Sequence, residues 1–387
     1  MSVHMRGRRL LHPWTLAMSV LLLSFLIAPS ARSGTAPPFD LQALIRDARA
    51  EGTVVVYHPS SRINVAGATF EKMYGIKVRG TKMGDPEQAE RVIREVDAGR
   101  VQVDVIHHED GPFLEARLIP KGYVTSWIPP DMTAVIPAQY HAPLVDKVQP
   151  RIFTYNFETY GGTCPISNVW ELADPKWKGK VILRDPALTP ANLAFFATIV
   201  SEAQMLDKAH RDLYGKPVEL TEAPSGRVKN AGWEFLKRLF ANDIIVMRSD
   251  EDIGDAVGAA GQKAAPIGMV TLTKLRDNKA KNLKLGTCKA LQPFMGYALP
   301  EYVAIVKNAP HPTAARLWVH FSLTAEGIGT WTMADVGGFS VNPRVPTHPD
   351  NEGTWTAWQK RLLPLDNKRS MGLRQDVLDF WLKYGGK

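Results

Sequence analysis

Residues 51–61, EGTVVVYHPSS, set the reading of the whole chain. Thr53 to Tyr57 is an unbroken β-branched and aromatic run with no polar alternation, the pattern of a strand covered on both faces. Working outward, a helix is expected through Ala68, Phe70 and Met73 to a stop at Gly75, then a strand at Ile76 to Arg79. Asp85-Pro86-Glu87-Gln88 has the form of a helix start. Asp85 is expected at the N-cap, Pro86 at the first helical position and Gln88 where a capping box needs it. Val92, Ile93 and Val96 supply that helix's buried face, Gly99 ends it, and Val103 to Ile106 is a third strand. Strand, helix, strand, helix, strand in this order predicts an α/β fold with a doubly wound, mostly parallel sheet. Ligands of such sheets gather at the carboxyl ends of the strands.

The pattern resumes downstream. A strand is expected at Ile152 to Asn156, and DPKWKGKVILRDP (Asp174 to Pro186) opens a second α/β unit. Helices follow at Thr189 to Glu202 and Asn230 to Asn242, separated by an exposed loop over Lys216 to Lys229. Strand Ile244 to Met247, helix Glu251 to Ala260, strands Ile267 to Val270 and Tyr302 to Val306, and helix Thr313 to Leu323 complete the reading.

With 387 residues, 45% hydrophobic and 22% charged, the chain suits about two globular domains. Residues 1–33 differ from the rest. Arg6, Arg8 and Arg9 precede an apolar run from Leu16 to Ala28, and Ser30, Ala31 and Ser33 follow, the layout of a cleavable secretory signal peptide. The run is shorter than the roughly 20 residues a bilayer-spanning helix needs. Arg8-Arg9 fits an ordinary basic n-region as well as twin-arginine export. Without Arg6, Arg8, Arg9 and Arg32 the formal charge of +8 falls to about +4. The remaining basic residues are interspersed with acids, so no nucleic acid partner is expected. Cys164 and Cys288 are compatible with one disulfide of an exported protein or with two buried thiols. No G-x-S-x-G elbow, H-E-x-x-H helix or glycine-rich phosphate loop is present, which argues against an enzyme, and a secreted hydrolase is the weaker alternative.

The ordered set EGTVVVYHPSS, FEKMYGIKV, VDVIHHED, YNFE, WELADPKWKGKVILRDP and VAIVKNAPHPTAARLWVHFSLTAEG resembles extracellular solute-binding proteins of ABC transporters, the ferric-iron-binding-like group. The resemblance implies a two-lobed periplasmic-binding-protein fold (type 2) whose interlobe cleft closes by hinge motion. It implies lobe 1 at 34–150 and 292–387 and lobe 2 at 151–291, with crossings near Gln149 to Asn156 and Lys284 to Gln292. Cys164 and Cys288 would then lie close to the crossings. The implied role is a monomeric periplasmic protein without cofactor that captures a small-molecule solute for a membrane permease and its ATPase.

The resemblance also implies which junctions face the cleft: Tyr57 to Arg62, His107 to Asp110, Asp185 to Asn192 and Arg248 to Asp252. Candidate ligand contacts are Tyr57, Ser60, Ser61, Arg62, His108, Glu109, Asp110, Thr189, Asn192, Ser249 and Asp250, with Lys274 beyond the strand at 267–270. Any one of these hydroxyls can instead simply cap its own helix. Tyr155, Trp331 and Phe339 are further candidates for the cleft wall. In ferric-binding members a histidine after the first strand, a glutamate after the third and two adjacent tyrosines hold the metal. Glu109 falls at the glutamate, Ser61 replaces the histidine, and TLTKL (Thr271 to Leu275) replaces the tyrosines, leaving too few anionic oxygens for ferric iron. His107 and His108 point to opposite strand faces and do not both reach one ion. A small organic anion such as a phosphonate, phosphate ester or carboxylate is the preferred solute. Glu109, Asp110, Asp250 and Glu251 keep a cationic polyamine, thiamine-like or metal-ion ligand as the alternative.

Overall fold

A computed structural model describes residues 39–385 except 335 and 352; the expected signal peptide lies outside the described residues. The first unit runs through α1 (Leu41–Glu51), β1 (Thr53–His58), α2 (Ile63–Tyr74), β2 (Lys77–Lys82), α3 (Asp85–Asp97), β3 (Val105–His108) and the single turn α4 (Gly111–Phe113). Next come β4 (Val124–Thr125), β5 (Val145–Asn156), β6 (Val181–Arg184), α5 (Pro190–Ser201), α6 (Ala203–Tyr214), α7 (Ala231–Phe240), β7 (Ile245–Met247), α8 (Asp250–Gly258) and β8 (Ile267–Thr271). The remainder is α9 (Asp277–Ala280), β9 (Leu285–Thr287), β10 (Gly296–Val306), α10 (Pro312–Ser322), α11 (Ala325–Thr332), β11 (Phe339–Ser340), α12 (Trp355–Gln359) and α13 (Asn367–Tyr384). Among the described residues no helix is long and apolar enough to cross a membrane.

Local chemistry accounts for the expected boundaries. Asp40 caps α1 by accepting the Gln42 and Ala43 N–H groups, and α2 stops at Gly75, whose φ of 73° is a left-handed value that glycine adopts without steric cost. Several boundaries differ from expectation: β3 is shifted to Val105–His108, and β5 and β10 begin earlier, at Val145 and Gly296. Gly84, not Asp85, is the N-cap of α3, and the Asp85 carboxylate accepts the backbone N–H of Glu109 at 3.0 Å. Asp85 is thereby spent on the β3 end rather than on its own helix.

The strands join in the order β2-β1-β3-β10-β5-β8-β6-β7, with β4 on β10 and β9 and β11 on β5. β2, β1 and β3 run parallel, as do β7, β6 and β8; the two triplets are joined through the antiparallel pair β10 and β5. Two cores lie along this path. One gathers Val54, Val56, Phe70, Val105, Ile106, Val303, Trp318 and Phe321; the other gathers Phe153, Trp170, Leu183, Phe196, Trp233, Tyr297 and Trp381.

β5 and β10 serve both cores: Val145 and Val148 belong to the first and Ile152 and Phe153 to the second, while Tyr302 and Tyr297 divide β10 in the same way. Gly296, at φ 152°, lets the backbones pass so closely that a Cβ there would lie 2.0 Å from the Arg151 carbonyl oxygen. β9, inside the expected crossing at 284–292, pairs only with the far end of β5, so the chain returns to the first core along β10. α13, expected with the first lobe, packs its Val377, Phe380 and Trp381 into the second core, and it reaches the first unit through an Arg374–Asp110 ion pair at 2.6 Å.

Cys164 and Cys288 form a disulfide across 124 residues of chain. Closing so long a loop restricts the unfolded chain, so replacing both cysteines by serine should lower the unfolding free energy by about 2–4 kcal/mol. Denaturant titration of the oxidised protein against the double variant measures the difference.

Candidate functional site

The carboxyl ends of both parallel triplets open on one cleft of about 590 Å³. The first unit contributes Ser60, Ser61 and Arg62 after β1, Asp85 at the start of α3, and Glu109 after β3. The second contributes Arg184 at the end of β6, Thr189 before α5, Ser249 and Asp250 at the start of α8, and Thr271, Thr273 and Lys274 after β8. The shared strands add Gln149, Arg151 and Glu301, and Trp331 of α11 closes one side.

Eight of the expected site residues therefore line one cavity: Ser60, Ser61, Arg62, Glu109, Thr189, Ser249, Asp250 and Lys274. Two of their hydroxyls are already engaged, since Ser60 Oγ accepts the Arg62 N–H at 3.2 Å and Ser249 Oγ accepts the Asp252 N–H at 3.1 Å. The other four lie elsewhere. Tyr57 is buried in the first core with its hydroxyl toward Glu95, and Asn192 is buried, donating to the Arg184 carbonyl and accepting from Tyr297. His108 and Asp110 face a smaller cavity of about 180 Å³ behind Asp85. Of the candidate aromatics only Trp331 reaches the cleft; Tyr155 donates to the Gly162 carbonyl and Phe339 is core.

Charge in the cleft is mostly paired. Asp250 Oδ2 accepts from Arg151 Nη2 at 3.2 Å and from the Thr271 N–H at 3.0 Å. Burial pulls the Asp250 carboxyl up, but Arg151, Arg184 and the Thr271 N–H outweigh it and hold the group below the usual carboxylate range. Lys274 is buried and pairs with Glu251. Among the described residues three side chains keep donors without acceptors. Arg151, 3% exposed, has Nε and Nη1 without acceptors, Arg184 Nε is buried without one, and so is the indole N–H of Trp331.

Two acids are left over as well. Burial pushes Glu109 up to about 7, with Asp85 and Glu301 adding repulsion; burial likewise pushes Asp85 up to about 7, against the Glu109 N–H and with repulsion from Asp110 and Glu301. His108 Nδ1 lies 3.3 Å from Asp85, but burial lowers this histidine to about 4, so it gives no positive charge.

Beneath the cleft, His58, His107, Asp146, Lys147 and Glu301 form a fully buried network. Lys147 pairs with Glu301, His58 Nε2 lies 3.1 Å from Glu301, and His107 Nδ1 lies 3.0 Å from Asp146. Lys147 also sits 4.8 Å over the Trp331 ring, which stacks on His58. The ligating atoms of His58, His107 and Glu301 fall within 4.8 Å of one another, close enough to suggest a metal. The outer ring nitrogens decide against it. His58 Nδ1 accepts the Ser60 N–H at 2.8 Å and His107 Nε2 accepts the Trp318 indole N–H at 2.9 Å. Each ring must therefore carry its proton on the inner nitrogen, where a metal would need a lone pair; metal-bound histidine has the reverse arrangement. The set is a proton-bearing network, not a ligand set.

Sequence reasoning passed over Asp85, Arg151, Arg184 and Glu301. Arg184 was legible as the last residue of its strand. Lys147, Gln149 and Arg151 alternate along β5 and so share a face, but nothing local marks that face as the one toward the cleft.

The sequence matches the family of bacterial extracellular solute-binding proteins over residues 57–328. It is 27% identical over 152 residues to the phosphoglycerate transport regulatory protein PgtC of Salmonella typhimurium, a match covering 38% of this chain and only 35% of that relative. The fold is similar to iron-bound HitA from Pseudomonas aeruginosa, with a TM-score of 0.64 and 18% identity over 86% of this chain and 99% of that one. It is also similar to AfuA from Actinobacillus pleuropneumoniae with exogenous fructose-6-phosphate bound, with a TM-score of 0.62 and 19% identity over 87% and 99% of the two chains.

Two outcomes follow from the electrostatics. Asp85 and Glu109 titrate higher in the folded than in the unfolded chain, so their contribution to the stability of the free protein falls as pH rises from about 4 and has reached its lowest level above about 7. Asp85→Asn keeps an acceptor for the Glu109 N–H and removes that loss; it should stabilise by about 1–2 kcal/mol at pH 8 and by little at pH 4, measured by thermal melts at both pH values. Lys147→Met leaves Glu301 and Asp146 buried without their cation and should cost about 3–5 kcal/mol in denaturant unfolding.

Proposed function

We propose the function from one premise: the chain belongs to the family of bacterial extracellular solute-binding proteins. Its role is the solute-binding component of an ABC importer, and its cleft captures a small organic anion such as a phosphate ester, phosphonate or carboxylate. The permease and ATPase of the importer are the partners. One observation carries the choice of an anion: the guanidiniums of Arg151 and Arg184 keep buried N–H groups without acceptors in the cleft wall. A buried donor left unsatisfied costs roughly 1–3 kcal/mol, and a planar oxyanion or phosphate satisfies both guanidiniums. The indole N–H of Trp331, also without an acceptor among the described residues, adds a further donor.

The relatives' names are of the same chemistry, phosphoglycerate and fructose-6-phosphate each carrying a phosphate ester. HitA is iron-bound, but the residues here do not suit ferric iron. Leu272, one of the residues where a tyrosine pair would stand, is 3% exposed and belongs to the core, and the neighbouring Thr271 and Thr273 hydroxyls lie 3.0 Å apart.

Capture works by differential affinity. A solute that touches Arg184 on one side and Ser61 or Glu109 on the other stabilises the closed form through contacts the open form lacks. In this reading lobe 1 holds 39–148 and 302–345, lobe 2 holds 149–301 with α12 and α13, and the hinge lies where β5 and β10 pass between the cores.

A thermal-shift screen of phosphate esters, phosphonates, dicarboxylates, polyamines and metal ions tests the proposal, since a ligand of the folded state raises its melting temperature. Anions should raise it. Arg151→Ala and Arg184→Ala should each weaken the best anion about 10- to 100-fold by calorimetry, the loss of one or two charge-assisted hydrogen bonds. Stabilisation by polyamines or metal ions alone would overturn the anion reading.

A further inference from the structure

We propose that the solute is a zwitterion, with its anionic group on Arg151 and Arg184 and an ammonium group between Asp85 and Glu109. The proposal rests on the anion reading above and adds the second half of the molecule.

The cleft's charges fall into internal pairs with a remainder at each side. Arg151 pairs with Asp250, Lys274 with Glu251, and Lys147 with Glu301. Arg62 donates to the Thr330 carbonyl, Arg276 lies against Asp277, and Lys82 stands exposed at the rim. On the second unit's side this leaves Arg184, whose side chain has no hydrogen bond or ion pair among the described residues, next to the unused N–H groups of Arg151. On the first unit's side it leaves Asp85 and Glu109, and among the described residues neither carboxylate has an ion pair with a lysine or arginine. The cleft is thus polarised, with acceptor-seeking guanidiniums facing cation-seeking carboxylates across one cavity.

The acidic side asks for a cation rather than a hydroxyl. Burial has already removed most of the water that would stabilise both as anions, and negative neighbours add to the cost, Asp85 and Glu301 for Glu109, Asp110 and Glu301 for Asp85. A ligand hydroxyl gives one hydrogen bond and leaves that repulsion in place. An ammonium gives three donors and a full positive charge, and so satisfies both carboxylates at once. A simple dianion would do the opposite, bringing negative charge against them. The same two carboxylates therefore select for an amine and against an amine-free anion of equal size.

The test uses matched probes on the folded, oxidised protein at pH 7.5, by isothermal calorimetry in metal-free buffer. The pairs are 3-aminopropylphosphonate with propylphosphonate and 4-aminobutyrate with butyrate, and propylamine serves as the ammonium alone. The amino member of at least one pair should bind tenfold or more tightly than its amine-free partner, and propylamine more weakly than either amino acid. Asp85→Asn and Glu109→Gln should each erase most of that preference by weakening the amino member while the amine-free anion binds as tightly as before or more tightly, and Arg184→Ala should weaken both members together. Melting curves of the variants establish that they are folded before they are titrated. Equal affinity within both pairs, or a preference that survives in the Asp85→Asn/Glu109→Gln double variant, overturns the zwitterion and leaves the anion reading standing. Propylamine binding as tightly as 3-aminopropylphosphonate with Arg184→Ala unchanged overturns both readings. So does the absence of binding by every probe.

Discussion

The antiparallel pairing of β5 with β10 is the constraint on which the rest of the molecule depends. Each strand is long enough to enter both cores, and each parallel triplet is completed only by the half it borrows. At the point where they pass, a side chain at Gly296 would collide with the neighbouring backbone. Just beyond, the register shifts between Glu301 and Tyr302, and the Lys147–Glu301 ion pair locks the two strands from within. Such a pair adds little net stability over a well-packed apolar one, but it tolerates few alternative registers, since any slip leaves a charge buried alone.

This arrangement explains why the cleft's charge chemistry sits where it does. The starts of α3, α5 and α8 all open on the cleft, and helix starts are favourable places for anions. Two of the three are already occupied by the protein's own acids, Asp85 at α3 and Asp250 at α8. Helix dipoles therefore contribute less to capture than the fold class suggests. The unspent donors come instead from the strands: Arg151 from the shared β5 and Arg184 from the end of β6. The planar guanidinium fork is pre-organised, so less side-chain freedom is lost for each hydrogen bond that it forms.

The buried histidines give this chain a second layer. His58 ends β1 and His107 lies in β3, and both turn their protonated nitrogens toward the carboxylates of β5 and β10. Neutral imidazole suits that place because burial lowers His58 to about 4, so it stays uncharged beside Lys147. Glu301 belongs to both layers, since it lines the cleft and accepts from the network below.

The local sequence determined most of the fold. Apolar runs such as Thr53–Tyr57 and Val103–Ile106, the glycine stop at Gly75 and the order of elements depend on periodicity and backbone sterics, which act over a few residues and are visible in one stretch of chain. The strand ends that meet at the cleft were legible for the same reason, and they put Ser61, Glu109, Thr189 and Asp250 in one cavity. What the chain could not show alone is how distant charges are spent. Asp85 has the spelling of a helix cap and becomes a cleft acid because Glu109, 24 residues on, offers it an N–H. Lys274 is spent on Glu251, while Arg184 Nε has no acceptor among the described residues. The junction His107 to Asp110 was expected to face the cleft as a whole, yet His107 joins the inner network, Glu109 the cleft and His108 with Asp110 the space behind it. Pairing of charges is a matter of distances across the fold, and only the tertiary structure sets those.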